Sequence, residues 1–254
     1  MDELVHYGVD DRIGVITLDS PDNRNALSVQ LMGELHDHLK AAAGDRSVRG
    51  VLLTATGTVF CAGADLSAAA GAGTGPGSFA DVLVTLRNYP KAVVARLNGH
   101  ARGGGLGLVA AADIVVAPTN ATFAFSEVRL GVAPAVIALP CLEAMTPRAV
   151  SRYMLTGEKF DAVDAARAGL VTVAVPPDEI EEKTAPLLDA IRATEPNAVA
   201  ATRALLRDLP AMEVTEAYAH AERLSASLFA SPEAAEGIAA FMDKRPPSWA
   251  EPGD

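Results

Sequence analysis

Three consecutive glycines, Gly103 to Gly105 in His-Ala-Arg-Gly-Gly-Gly-Leu-Gly-Leu, stand at the mouth of an apolar, helix-forming segment. Glycine weakens a helix by about 1 kcal/mol relative to alanine, so a triplet here implies that something approaches the backbone closely. A helix N-terminus leaves N–H groups unpartnered and carries the positive end of the helix dipole, which together stabilise negative charge. A second glycine turn, Phe60-Cys-Ala-Gly-Ala-Asp-Leu66, follows a β-type run and supplies further amides. Two such turns converging on one carbonyl oxygen make an oxyanion hole for a developing enolate. Close helix–strand packing explains either turn alone. Both together, each after a strand, favour the oxyanion reading.

Competing chemistries lack their residues. Arg-Gly-Gly-Gly-Leu-Gly does not have the spacing of a dinucleotide fingerprint, and no acid follows at the required distance. The phosphate-binding loop with its Gly-Lys-Ser/Thr ending and the Gly-x-Ser-x-Gly elbow of serine hydrolases are both missing. Five scattered histidines and two distant cysteines give no zinc cluster beyond His36-x-His38, which lies in a helical segment. No metal is expected.

The elements that must hold these turns alternate. Runs at 14–18, 50–54, 92–97 and 113–117 are short and β-branched, as buried strands are, and helical patterns lie between them. The clearest helix spans 28–43, with Ser28 as N-cap and Leu31, Met32, Leu35 and Leu39 on one face. This alternation predicts an α/β fold with mostly parallel strands. Strands cease near Pro176. The last third carries a helix at 196–209 and an apolar stripe through Val214, Ala217, Tyr218, Ala221, Leu224 and Leu228, the pattern of an assembly surface. The division expected is therefore a core over 1–195 and a helical oligomerisation region over 196–254. The run 67–78, rich in glycine and poor in large apolar residues, reads as a mobile surface loop.

The whole chain has 254 residues, half of them hydrophobic, and a formal net charge of −11. That charge argues against nucleic acid as the main partner. No run approaches the roughly 20 apolar residues of a membrane span, the N-terminus is acidic, and two thiols fit a reducing compartment. A cytoplasmic protein with no membrane partner is the expectation.

Four stretches in order, Asn-Arg-Asn-Ala-Leu-Ser (23–28), Phe-Cys-Ala-Gly-Ala-Asp-Leu (60–66), Asn-Gly-His-Ala-Arg-Gly-Gly-Gly (98–105) and Phe-Ser-Glu-Val-Arg-Leu-Gly-Val (125–132), resemble the enoyl-CoA hydratase/isomerase family, the crotonases. The likeness runs from about residue 3 to Phe-Met-Asp-Lys-Arg at 241–245. It implies the crotonase (ClpP/crotonase-like) spiral of ββα units with a C-terminal helical region, and homotrimers often paired into hexamers. It also implies an acyl-CoA thioester as ligand, with coenzyme A as part of the substrate and no separate cofactor. Carried over by position, Ala64 and Gly104 supply the oxyanion amides and Glu127 handles protons at the acyl carbons. Ala26, Ala62, Asp65 and Leu66 would line the coenzyme A channel. Arg24, Lys244 and Arg245 are candidates for its phosphates, the C-terminal pair reaching from a neighbouring subunit. Each of these three charges is explained equally well as solvated surface.

One departure stands out. Hydratases of this family carry a second glutamate on the helix after the glycine triplet, and here that position is Gly107. The lead expectation is water addition to a 2-enoyl-CoA with one glutamate, on a branched, carboxylated substrate of the 3-methylglutaconyl-CoA type if Arg102 or Arg129 meets a distal carboxylate. The alternatives are a Δ3–Δ2 enoyl-CoA isomerase, which needs one carboxylate, and a thioester binder without activity. Asp65, Asp113, His100, Glu143 and Cys61 are read as structural.

Overall fold

The computed structural model describes residues 2–65 and 77–250. The hairpin of β1 (Val5–Asp10) and β2 (Ile13–Leu18) turns at Asp11 and Arg12, both with positive φ, as a tight hairpin of the right twist requires. Ser28 then caps α1 (Val29–Gly44), its hydroxyl accepting from Leu31 N–H at 3.2 Å, and Leu31, Met32, Leu35 and Leu39 are buried. Strand β3 (Gly50–Ala55) is buried throughout and leads to β4 (Val59–Cys61).

The next units repeat a pattern of two strands and a helix. After β4 comes α2 (Phe79–Arg87); β5 (Ala92–Arg96) and β6 (His100–Arg102) precede α3 (Gly104–Ala111). Then β7 (Ile114–Pro118), β8 (Thr122–Ala124) and a 3-10 turn (Ser126–Leu130) lead to α4 (Ala138–Ala144) and α5 (Pro147–Thr156). The short β9 (Phe160–Asp161), α6 (Ala162–Arg167) and β10 (Val173–Val175) follow. The chain closes with α7 (Ile180–Arg192), α8 (Pro196–Asp208), α9 (Val214–Phe229) and α10 (Pro232–Met242).

Consecutive strands of each unit go to different sheets. One sheet has the order β1-β2-β3-β5-β7-β10, the other β4-β6-β8-β9. Among the described residues only β1/β2 and β8/β9 pair antiparallel. The strand runs expected from sequence match β2, β3, β5 and β7 to within a residue. The main core lies where α1, α2 and α3 cover the sheets, with Phe60, Phe123, Phe125, Leu35 and Leu106 fully buried. A smaller cluster of Ile13, Leu52, Val94 and Ile191 seats α7 on the opposite face of the larger sheet.

Helices α8 and α9 bury no residue, and α10 buries only Ala240. Leu66 and most of the 67–78 run fall outside the described residues. No helix among the described residues is long and apolar enough to cross a membrane, and none of their His, Cys, Asp and Glu side chains group as metal ligands.

Candidate active site

The two glycine turns meet backbone to backbone. Gly63 adopts φ +89°, and a Cβ there would lie 2.9 Å from Arg102 O and 3.1 Å from Gly104 N. Only glycine accommodates both that torsion and that approach. The first turn is anchored behind by Leu27, whose N–H donates to Gly63 O at 2.8 Å, and by Ala62 N–H, which donates to Arg24 O at 3.0 Å. The second is anchored by Gly103 N–H donating to Ala124 O at 3.1 Å. Among the described residues no hydrogen bond leaves Ala64 N–H or Gly104 N–H. Ala64 is exposed and Gly104 partly so, and Gly104 opens α3, where amides are unpartnered by the geometry of a helix start.

Glu127 stands over this pair. Gly103 has φ +47°, and a Cβ there would lie 3.2 Å from Glu127 Oε1. The glutamate sits on the 3-10 turn after β8, and that turn is closed by Gly131 in the left-handed conformation. Burial raises the Glu127 carboxyl above its ordinary range, and Oε2 is buried with no hydrogen-bond partner. The neighbouring Cys141 thiol is pushed up to about 12, by burial first and by the Glu127 charge second. It stays a protonated, packed side chain. Cys61 is also fully buried, its thiol raised to about 12, and it packs where a Cβ on Gly105 would lie 2.8 Å from its own.

The described side chains packed against the first turns of α3 are hydrocarbon. A Cβ on Gly104 would lie 2.6 Å from Leu27 Cδ1 and 3.3 Å from Phe79 Cε1. One turn on, a Cβ on Gly107 would lie 2.4 Å from Ile137 Cγ2 and 3.4 Å from Phe79 Cζ. Ile137 thus occupies the place into which a side chain at position 107 would point, and it is 2% exposed.

The other residues singled out by sequence divide into two groups. Arg24, Ala26, Ala62 and Asp65 belong to the segments that brace the first turn. Arg24 is exposed, with φ 60°, and Ala26 is buried, its N–H donating to Asn23 Oδ1 at 3.2 Å. Lys244 and Arg245 are elsewhere. Arg245 pairs with Glu236 at 2.7 Å and lines a cavity with Ala92 and Asp113, at the edge where β5 and β7 begin. The glycine turns lie at the other end of those units, so one chain does not bring Lys244 to them. The cause is local: Ser231 caps α10, the Glu236–Arg245 pair closes its end, and Trp249 Nε1 donates to Ala193 O at 3.2 Å.

Arg102 is committed to structure, donating from Nη1 to Ala101 O at 2.8 Å and from Nη2 to Thr122 Oγ1 at 2.6 Å. Arg129 donates to Thr156 O at 3.3 Å. His100 Nδ1 accepts from Thr122 N–H, Asp113 pairs with Arg203 at 2.9 Å, and Glu143 pairs with Arg87 at 2.8 Å. These match their structural readings.

Sequence reasoning passed over three residues. Asn25 is fully buried with φ 54°; its Oδ1 accepts from Ser20 N–H at 2.7 Å and its Nδ2 donates to Thr56 O and Val59 O. It locks the 23–28 segment beneath the first turn, and an asparagine preceding a capped helix was the available signal. Nothing in the local sequence pattern of Phe79 or Ile137 marks a cleft wall.

The enoyl-CoA hydratase/isomerase family model matches residues 8–252. A carnitinyl-CoA dehydratase of Escherichia coli is 34% identical over 98% of this chain and 99% of its own length. Among solved structures, AtuE of Pseudomonas aeruginosa superposes with a TM-score of 0.92 at 34% identity, covering 98% of this chain and all of that one. An enoyl-CoA hydratase of Mycobacterium smegmatis gives 0.91 at 31% identity over the same shares. The interleaved sheets, the helical C-terminal region and the ordered motifs are thus those of the crotonase fold, and the chain belongs to the enoyl-CoA hydratase/isomerase family.

Proposed function

We propose that the protein adds water to the double bond of a 2-enoyl-CoA, with Glu127 as its one acid–base group. What carries this reading is the juxtaposition of two unpartnered amides, Ala64 N–H and Gly104 N–H, with a half-buried carboxyl of raised proton affinity. The thioester carbonyl accepts from both amides. Charge that develops on its oxygen as C3 is attacked is stabilised by donors already in place. Glu127 takes a proton from water as the oxygen bonds to C3, then returns it to C2, and the π bond becomes two σ bonds. A carboxyl titrating nearer neutrality suits both halves of that exchange.

Ala62, Asp65, Leu66, Ala26 and Arg24 flank the path of the coenzyme A moiety in this reading. Lys244 would reach it only from a neighbouring subunit of a homotrimer or hexamer. Coenzyme A arrives with the substrate, and no further cofactor is invoked. Because Arg102 and Arg129 are both engaged with protein carbonyls, the hydrocarbon lining favours an uncharged acyl chain over a carboxylated one of the 3-methylglutaconyl-CoA type.

A second reading has its own observation. Ile137 fills the space at Gly107, so that position offers no second carboxylate to hold the attacking water. A Δ3–Δ2 isomerase needs one, shuttling a proton between C2 and C4. Mass spectrometry on a panel of 2-enoyl- and 3-enoyl-CoAs separates these. Gain of one water mass supports hydration, and double-bond migration at constant mass supports isomerisation. Thioester binding with neither product leaves a binder without chemistry and sinks both.

A further inference from the structure

The first residues of the chain are fastened to α1 and to the end of β2. One carboxylate oxygen of Glu34, on α1, accepts from Leu4 N–H and Val5 N–H at 2.6 and 2.9 Å, and Gln30 donates to Asp2 O at 2.8 Å. Beside this tie stands a cluster of ionisable groups that the proposed reaction does not use. His6 has Nδ1 3.1 Å from Glu3 Oε2 and Nε2 2.8 Å from Asp19 Oδ2. Imidazole donates from both nitrogens only when it is protonated, so the cation bridges the two carboxylates and the neutral ring does not. Asp19 first and Glu3 second, through these hydrogen bonds, raise the proton affinity of His6 above its ordinary value. Of the elements around the cluster, α1 contributes Glu34 and His38, whose Nε2 lies 3.3 Å from Glu3 Oε1 and 2.8 Å from Val5 O. Strand β1 contributes Tyr7, stacked on the His38 ring.

Asp19 is also where β2 hands over to the loop that braces the first glycine turn. Its Oδ1 accepts from Thr56 Oγ1, and its N–H donates to Leu4 O at 2.7 Å. The next residue, Ser20, is tied to Asn25 in both directions: Ser20 N–H donates to Asn25 Oδ1 at 2.7 Å and Asn25 N–H donates to Ser20 O at 2.9 Å. Around Asn25, Arg24 O accepts from Ala62 N–H and Leu27 N–H donates to Gly63 O. We propose that Glu3, His6 and Asp19 form a pH-dependent clip between the N-terminal segment and the 19–25 loop, and that His6 is thereby a positioning residue for the first glycine turn. The use of that turn to hold a thioester carbonyl rests on the acyl-CoA reading above; the clip itself does not. Its contribution is complete below the ordinary value of 6.5 and is lost as pH rises through the raised folded value.

Hydrogen–deuterium exchange of the full chain, read by mass spectrometry and compared between variants at equal pH, tests this without a ligand. At pH 6, His6→Gln should exchange about threefold faster than wild type in peptides covering 2–10, 19–28 and 59–65, the scale of one exposed ion pair. At pH 9, where the wild-type clip is open, the two should agree. Asp19→Asn should copy His6→Gln at pH 6. His6→Lys, whose charge persists, should match wild type at pH 6 and be better protected at pH 9. The proposal is overturned by any of four results: no difference at pH 6, an equal difference at both pH values, a change confined to 2–10, or His6→Lys exchanging like His6→Gln. Calorimetric titration with butanoyl-CoA then reads the consequence. Wild type should bind about threefold tighter than His6→Gln at pH 6 and equally at pH 9. Equal affinities at pH 6, with exchange as expected, overturn the positioning role. If no variant binds butanoyl-CoA while exchange differs as expected, the acyl-CoA reading fails and the clip stands.

Discussion

At the scale of single residues, Glu127, the acid–base group of the proposed reaction, leaves a thermodynamic trace. Burial favours its neutral form, so the folded chain holds that proton more tightly than the unfolded chain does. The group's contribution to stability is therefore fullest below the ordinary value of 4.5 and is lost as pH rises through the raised folded value. Glu127→Gln cannot ionise. It should unfold at a higher temperature than wild type near pH 8, and the difference should vanish near pH 4. The same substitution should remove nearly all turnover while thioester binding persists, because glutamine keeps the shape but does not exchange protons. Calorimetric melting curves at both pH values check the first part; a gain unchanged by pH would mean that the carboxyl is not held neutral by burial. That a glutamate follows Phe125-Ser126 was legible in the sequence. That its Oε2 would be left without a partner was not, because orphaning depends on what the rest of the chain fails to bring near.

At the scale of elements, the packing of α3 decides what the cleft contains. The apolar run after the triplet announced the helix, and the strands around it were read to within a residue from their β-branched composition. The glycine at 107 was legible only as a missing acid. Its physical cause is the fit of α3 against Ile137 and Phe79, which meet across 30 and 28 residues of chain and obey no local pattern. Gly107→Ala should therefore destabilise the fold by about 1–3 kcal/mol, the usual cost of overpacking a full core. Ile137→Ala in the same chain should restore part of that loss. Gly107→Glu should give no gain in crotonyl-CoA hydration, since the new side chain has no room beside Ile137. Denaturant titrations of the three variants decide it; an alanine at 107 that costs nothing would show that the wall yields.

For the whole molecule, the C-terminal helices pose the question of what covers them. Phe241 is 82% exposed and Phe229 73%, with Tyr218 and Leu206 similarly bare. Isolated surface hydrophobes are normal, but such a concentration on three helices leads to the prediction of an association surface. Of the stripe expected on α9, Val214 and Tyr218 stand exposed within one chain, whereas Ala217, Ala221, Leu224 and Leu228 are half-buried. Light scattering should return a multiple of three chains, and a monomer at micromolar concentration would rule out the trimer. The bracing of the glycine turns has a different consequence, one that concerns time. Asn25 reaches Thr56 and Val59, Leu27 reaches Gly63, Gly63 touches Gly104, and Gly103 holds Ala124. Every link joins segments some twenty to forty residues apart, and none can form until both segments are in place. Non-local closures of this kind come late and slowly. The proposed oxyanion pocket is therefore built on closures of the same span as the sheet pairings, such as Ile13 with Gly50 and Gly50 with Ala92, and a refolding chain should regain it together with its sheets and not from any local segment alone.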